Sequence, residues 1–139
     1  LLDTNVISEL LKPRPEPKLT IWLDATDEEL IFLSVLTIGE IRQGINLRPD
    51  PVRRAKLESF LASDVRVRFE GRILPVDSSV AECWGLLTAK AKTDKNHTLP
   101  VIDGLLAATA QQHNLTLLTR NAKDVACTGV QFFNPWEGP

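Results

Sequence analysis

The chain has 139 residues, of which 43% are hydrophobic and 24% charged, with a formal net charge of -2. That size suits a single domain over residues 1–139, able to bury roughly two thirds of the surface of the unfolded chain. The apolar runs are far too short to cross a bilayer and nothing at the amino terminus reads as a secretory signal, so a membrane role is excluded and a cytoplasmic location expected. The charge offers no general attraction to nucleic acid, and binding of that kind requires a local basic surface or a metal ion. Cys83 and Cys127 are the only cysteines. They form no CxxC pair, and both read as reduced thiols, with Cys83 in the core. No methionine occurs, so residues before Leu1 are expected to be missing from the sequence.

Short apolar runs alternate with longer segments of helical period, the pattern of an α/β sheet flanked by helices. The first strand ends at about Asp3, and VISELLK forms a short helix stopped by KPRPEP. A second helix is expected over Pro17 to Ala25 and a second strand over Leu30 to Val35. Thr37 to Leu47 reads as a helix opened by a T-x-x-E pattern, RPDP breaks it, and Val52 to Ser63 is amphipathic. Ile73 to Val76 is the third strand. Ser78 to Thr93 carries Val80, Cys83, Trp84, Leu87 and Ala91 at helical spacing, so that face is buried. KTDKNHT is a loop, Pro100 starts a helix to His113, and Leu115 to Thr119 and Val130 to Phe133 are the last strands. Strands joined through helices are parallel with right-handed crossovers, and ligands then gather beyond their carboxyl ends.

That edge receives Asp3, the Thr37 to Glu40 turn and Asn121, while Asp103 arrives from the first turn of a helix. Each has a local explanation. Asp3 sits where a capping aspartate would sit, Glu40 completes a capping box with Thr37, Asp103 suits a helix dipole, and Asn121 and Asp124 are good turn residues. Capping nevertheless needs each acid only locally, whereas several sequence-distant acids meeting at one edge need a common cause. Two carboxylates about 4 Å apart repel by roughly 4 kcal/mol at an effective dielectric near 20, so a cluster calls for a cation or partial protonation. A divalent metal, used to hydrolyse a phosphodiester, is the expected partner.

Arg42 and Arg120 lie beside these acids in sequence and suit either a carboxylate or a phosphate. Thr4 and Thr119 bring hydroxyls to strand ends. Basic clusters occur at Arg48, Arg53, Arg54 and Lys56 and at Arg66, Arg68 and Arg72, for which a solvated helix face is the plainer reading. His97 and His113 lack partners at metal spacing and read as surface residues, while Trp22, Trp84 and Trp136 read as core or interface anchors. The absence of GxxxxGKS, GxGxxG and GxSxG leaves phosphate-loop, dinucleotide and serine-hydrolase chemistry unsupported.

Taken in order, LLDTNVISEL, TIGEIRQGI, GRILPVD, DGLLAATAQQHNLTLLTRN and FNPW resemble the PIN-domain ribonucleases, most of all the toxin arm of VapBC-type toxin–antitoxin pairs with its FitB-like branch. The resemblance implies a three-layer α/β/α fold around a mainly parallel sheet of about five strands. It also implies an endoribonuclease dependent on Mg²⁺ or Mn²⁺, homodimerisation, and a small VapB-like or FitA-like antitoxin protein that reaches into the acidic cleft. Position by position, Asp3, Glu40 and Asp103 match the family's three core acids and become the metal ligands. Asn121 stands where a fourth acid often follows a TR dipeptide. It adds no charge, and Asp124 is the candidate substitute. Thr4, Thr119, Arg42 and Arg120 become substrate-binding candidates. Two other readings stay open: a PIN-fold module that only binds RNA or a protein, and a phosphotransfer protein with Asp3 as acceptor, for which Asn5 and Arg120 occupy unfavourable places.

Overall fold

Proline and short polar side chains punctuate the chain, and the helices start where they stand. The computed structural model describes residues 1–138. Helix α1 spans Thr4–Leu10, and α2 spans Pro17–Asp24, with Glu16 capping it and Pro17 in its first turn. A 3-10 turn, Glu28–Leu30, leads into strand β1, Leu33–Ser34, and directly into α3, Val35–Asn46. Helix α4, Pro51–Ser59, is capped by Asp50 and widens into a π-helical segment, Phe60–Val65. Strand β2, Ile73–Leu74, precedes α5, Ser78–Lys95, which Asp77 caps. Then come α6, Val101–Gln112, β3, Leu117–Leu118, α7, Ala122–Ala126, and β4, Phe132–Phe133.

The strands are parallel, β1 pairing with β2 and β3 with β4. The amino-terminal segment lies between the two pairs: Leu2 N–H donates to Phe32 O at 3.0 Å, Leu118 N–H to Leu1 O at 2.8 Å, and Asp3 N–H to Leu118 O at 2.9 Å. Five strand positions therefore stand where five were expected, although each is shorter. The Leu30 to Val35 run yields only two strand residues, because the 3-10 turn takes its start and Ser34 already caps α3.

Side chains alternate across a strand, and here adjacent residues go to two separate cores. Leu2, Leu33 and Leu118 pack with Val6, Ile7, Leu19, Ile41, Ile45, Leu61 and Val65 from α1 to the π-helical segment. Leu1 and Leu117 pack with Val80, Leu87, Leu106 and Val125 from α5, α6 and α7. Helices thus cover both faces of the sheet, the three-layer α/β/α arrangement expected from sequence. Each fully buried leucine contributes about 1.5–3 kcal/mol relative to exposure, and Leu33 and Leu106 are both completely covered. Cys83 is buried, as expected, on the inner face of α5. The last two turns of α5 take in KTDK, part of the segment read as a loop, and Asn96 ends them in the left-handed conformation that asparagine tolerates.

Candidate active site

Asp3 ends the central strand position and occupies the N-cap of α1, yet its side chain makes no capping bond. Its carboxylate, 5% exposed, instead accepts the Thr119 hydroxyl at 2.6 Å and the Asn5 side-chain amide at 2.7 Å. Both donors are neutral, so they orient the carboxylate without cancelling its charge. Thr119 follows β3, and its hydroxyl oxygen also accepts the Asn121 N–H at 3.0 Å. One buried hydroxyl therefore ties the end of β3 to the end of the amino-terminal strand.

The capping-box reading of Thr37 and Glu40 does not hold. Helix α3 begins two residues before Thr37, and Ser34 supplies the cap, its hydroxyl accepting Leu36 N–H at 3.1 Å. Thr37 is fully buried inside the helix, where its hydroxyl faces Leu2 O. Glu40 is thereby released from the cap, and its Oε1 accepts the Thr4 hydroxyl at 2.6 Å across from α1. Thr4 and Thr119 thus each hold a different acid.

Asp103 lies in the first turn of α6, half-buried. Its neighbour Gly104 permits the close approach of α6 to α5, since a Cβ there would stand 3.0 Å from Cδ1 of Trp84. Desolvation is the largest influence on the Asp103 carboxyl and pushes its pKa up. Asp3, Asp124 and Glu40 add to the rise, and only the Asn121 amide works against it. All three other acids act electrostatically on Asp103. Asn121 stands at the start of α7 and makes no capping bond. Asp124, in the first turn of α7, lies 3.4 Å from His97 Nε2, a buried atom that makes no hydrogen bond among the described residues, so the ring expected at the surface turns this edge inward.

The two arginines pair with acids outside the cluster. Arg42 donates to Glu58 Oε1 at 2.6 Å, tying α3 to α4, and Arg120 donates to Glu9 Oε2 at 2.8 Å with its guanidinium 4.2 Å over the Trp136 ring. Neither pairs with a cluster acid. Two contributors were missed from sequence. Asn5 steadies Asp3, a role that the LDTN spacing signals, because a strand-to-helix turn brings residue i+2 back toward residue i. Glu9 anchors Arg120, and nothing local reports a contact across 111 residues.

The donors are carboxylate, amide and hydroxyl oxygens, the set that suits a hard divalent cation. Among the described residues, no ion pair reaches Asp3, Glu40 or Asp103. Nor, among them, do three acid, histidine or cysteine side chains close into a ready metal cage. Mg²⁺ does not need one, because it keeps several waters and is commonly held by one or two carboxylates. The residues fit such an ion through donor chemistry and uncompensated negative charge.

The model of the PIN domain family matches residues 1–125. The chain is 40% identical over 136 residues to Toxin FitB of Neisseria gonorrhoeae, covering 98% of this chain and 97% of the relative. The crystal structure of FitAcB from that organism superposes with a TM-score of 0.92 at 39% identity, over 97% of this chain and 96% of its counterpart. VapC ribonuclease Y4jK of Sinorhizobium fredii is 36% identical, over 99% of this chain and 97% of its own length. A toxin-antitoxin complex from Klebsiella pneumoniae contains a chain of TM-score 0.70 at 25% identity, with 96% of this chain and 95% of that one covered.

Proposed function

Because this chain belongs to the PIN domain family, we propose that it is the toxin of a type II toxin–antitoxin pair, an endoribonuclease dependent on Mg²⁺ or Mn²⁺. The observation that carries the reading is that Asp3 and Glu40 are held by neutral hydroxyl and amide donors alone, and that no ion pair reaches them or Asp103 among the described residues. Relatives named toxin and ribonuclease along their whole length support the biological setting.

Asp3, Glu40 and Asp103 are the residues that would hold the ion. When bound, a divalent cation supplies a Lewis acid for the phosphate and lowers the pKa of the attacking water. The chain's own residues position the reaction. Thr119 and Asn5 fix the orientation of the Asp3 carboxylate. Thr4 occupies Oε1 of Glu40, leaving Oε2 to accept a hydrogen bond from the attacking water and to take its proton. The water oxygen would form the new bond to phosphorus as the P–O3′ bond breaks, and the departing O3′ would take a proton from solvent water, leaving a 5′-phosphate and a 3′-hydroxyl. Asn121 and Asp124 border the site, Asn121 as an oxygen ligand without charge. Arg42 and Arg120 act on it only through the elements they brace.

The protein works in the cytoplasm as a homodimer, held inactive by a small antitoxin protein. No helix among the described residues is long and apolar enough to cross a membrane. The test is cleavage of RNA by the native chain with and without Mg²⁺ or Mn²⁺ and by Asp3→Asn and Asp103→Asn. Loss in EDTA and in both variants is expected, and undiminished cleavage in any of these contradicts the assignment. A second reading, a PIN-fold module that binds without cutting, draws on the neutral Asn121 and the open spacing of the acids. RNA binding without cleavage at any metal concentration would favour it.

A further inference from the structure

Between α1, α3 and α4 a groove opens whose lining includes Thr4 and Glu40, so it is continuous with the acid cluster. Leu11, Leu57 and Phe60 contribute its accessible apolar wall, and Arg48, Arg53 and Lys56 line it as well. The three cations are exposed, and none forms an ion pair among the described residues. Their neighbours are occupied: Arg54 donates to the carbonyls of Asn46 and Arg48 at the end of α3, and Lys12 pairs with Glu9. Arg53 and Lys56 are three residues apart on α4 and share one face, while Arg48 precedes that helix on the connecting loop. Three unpaired cations therefore face a groove that ends at acids.

We infer that this groove is the track along which single-stranded RNA reaches the acid cluster, with Arg48, Arg53 and Lys56 holding backbone phosphates on one side of the scissile bond. The inference rests on the ribonuclease reading and adds where the strand lies. Charge favours RNA over an acidic polypeptide. Glu40 at the end of the groove repels a carboxylate and a phosphate alike, but RNA carries a charge at every residue, so a single strand can meet all three cations at once. An RNA strand gains from having neighbouring phosphates neutralised while one phosphodiester enters the site. Leu11, Leu57 and Phe60 offer apolar surface to bases, which imposes no hydrogen-bond code on them.

The experiment measures binding of a fluorescein-labelled single-stranded RNA of mixed sequence in EDTA, so that cleavage does not enter. The probe is titrated with the native chain, R48Q/R53Q/K56Q, and the control K90Q/K92Q/K95Q on α5. The groove variant is expected to bind at least about tenfold more weakly and to lose about 2 from the slope of log affinity against log salt, three phosphates at about 0.7 each. The control is expected to match the native chain, and circular dichroism to show all three folded. Equal affinity and slope in the groove variant overturn the inference, as does equal weakening in the control. So does a variant that loses binding to poly-glutamate while keeping its affinity for RNA, the sign of a protein-docking groove. Failure here is distinguishable from failure of the ribonuclease reading: a native chain that cleaves RNA while R48Q/R53Q/K56Q binds normally removes the track alone. A native chain that neither binds nor cleaves removes both.

Discussion

Asp3 immediately precedes the short helix that contains Glu9, and each is 5% exposed, but the fold treats them in opposite ways. Glu9 receives Lys12 Nζ at 2.7 Å, Arg120 Nη2 at 2.8 Å and the Glu16 N–H at 3.2 Å. These partners, Lys12 foremost, hold its carboxyl below the usual range against the opposing pull of desolvation. Asp3 receives only a hydroxyl and an amide, and its acidic neighbours raise Asp103. Where an acid serves the fold, cations from α1 and the far end of the chain come to it. At the sheet edge no ion pair comes to Asp3, Glu40 or Asp103 among the described residues, and the charge is left for something from outside. That contrast separates a structural carboxylate from a functional one better than burial does.

The contrast is broken most decisively by removing charge on each side. Asp3→Asn or Asp103→Asn is expected to lower RNA cleavage by at least about 100-fold, the scale for losing a group that stabilises charge in a transition state. Both variants should stay folded, as judged by circular dichroism. Asn121→Asp sharpens the contrast from the other direction. Adding a carboxylate beside Asp103 should tighten Mn²⁺ binding by on the order of tenfold, about 1.4 kcal/mol, measured by calorimetry. An unchanged affinity would place Asn121 outside the site.

Glu9→Gln should do the reverse of Asp3→Asn. It leaves Arg120 without its acid and loosens the Thr119 to Asn121 loop, so thermal stability falls while metal affinity changes only severalfold at most. A larger loss of metal affinity than of stability would mean Glu9 belongs with the cluster.

The smallest effect concerns pH. The raised Asp103 carboxyl means that the folded chain holds a proton there more tightly than the unfolded one. Its contribution to stability is present below the ordinary aspartate pKa near 4 and is lost as pH rises through the folded value. Asp103→Asn is therefore expected to raise the unfolding temperature at neutral pH without metal, with the gain vanishing under acid. A gain independent of pH would contradict the origin given for the shift.

Much of this was legible in the sequence for identifiable reasons. Proline and acid caps set the start of α2 and α4 within a residue, and Asp3 and Asp103 were marked by their positions at a strand end and a helix start. What misled was local chemistry with two solutions. T-x-x-E suits a capping box, but Ser34, three residues earlier, already had the right side chain in the right place and took the role. The strands are short because neighbouring turns and caps compete for the same backbone groups, which periodicity does not register. Glu9, His97 and the true partners of Arg42 and Arg120 were hidden because each depends on tertiary contact rather than on spacing along the chain.

The central claim is that Asp3, Glu40 and Asp103 hold a divalent ion, and calorimetric titration of Mn²⁺ into the metal-free native chain and into Asp3→Asn and Asp103→Asn tests it most directly. Saturable binding by the native chain, lost or much weakened in both variants, is the expected result. No binding to the native chain, or binding of equal strength in all three proteins, would contradict it.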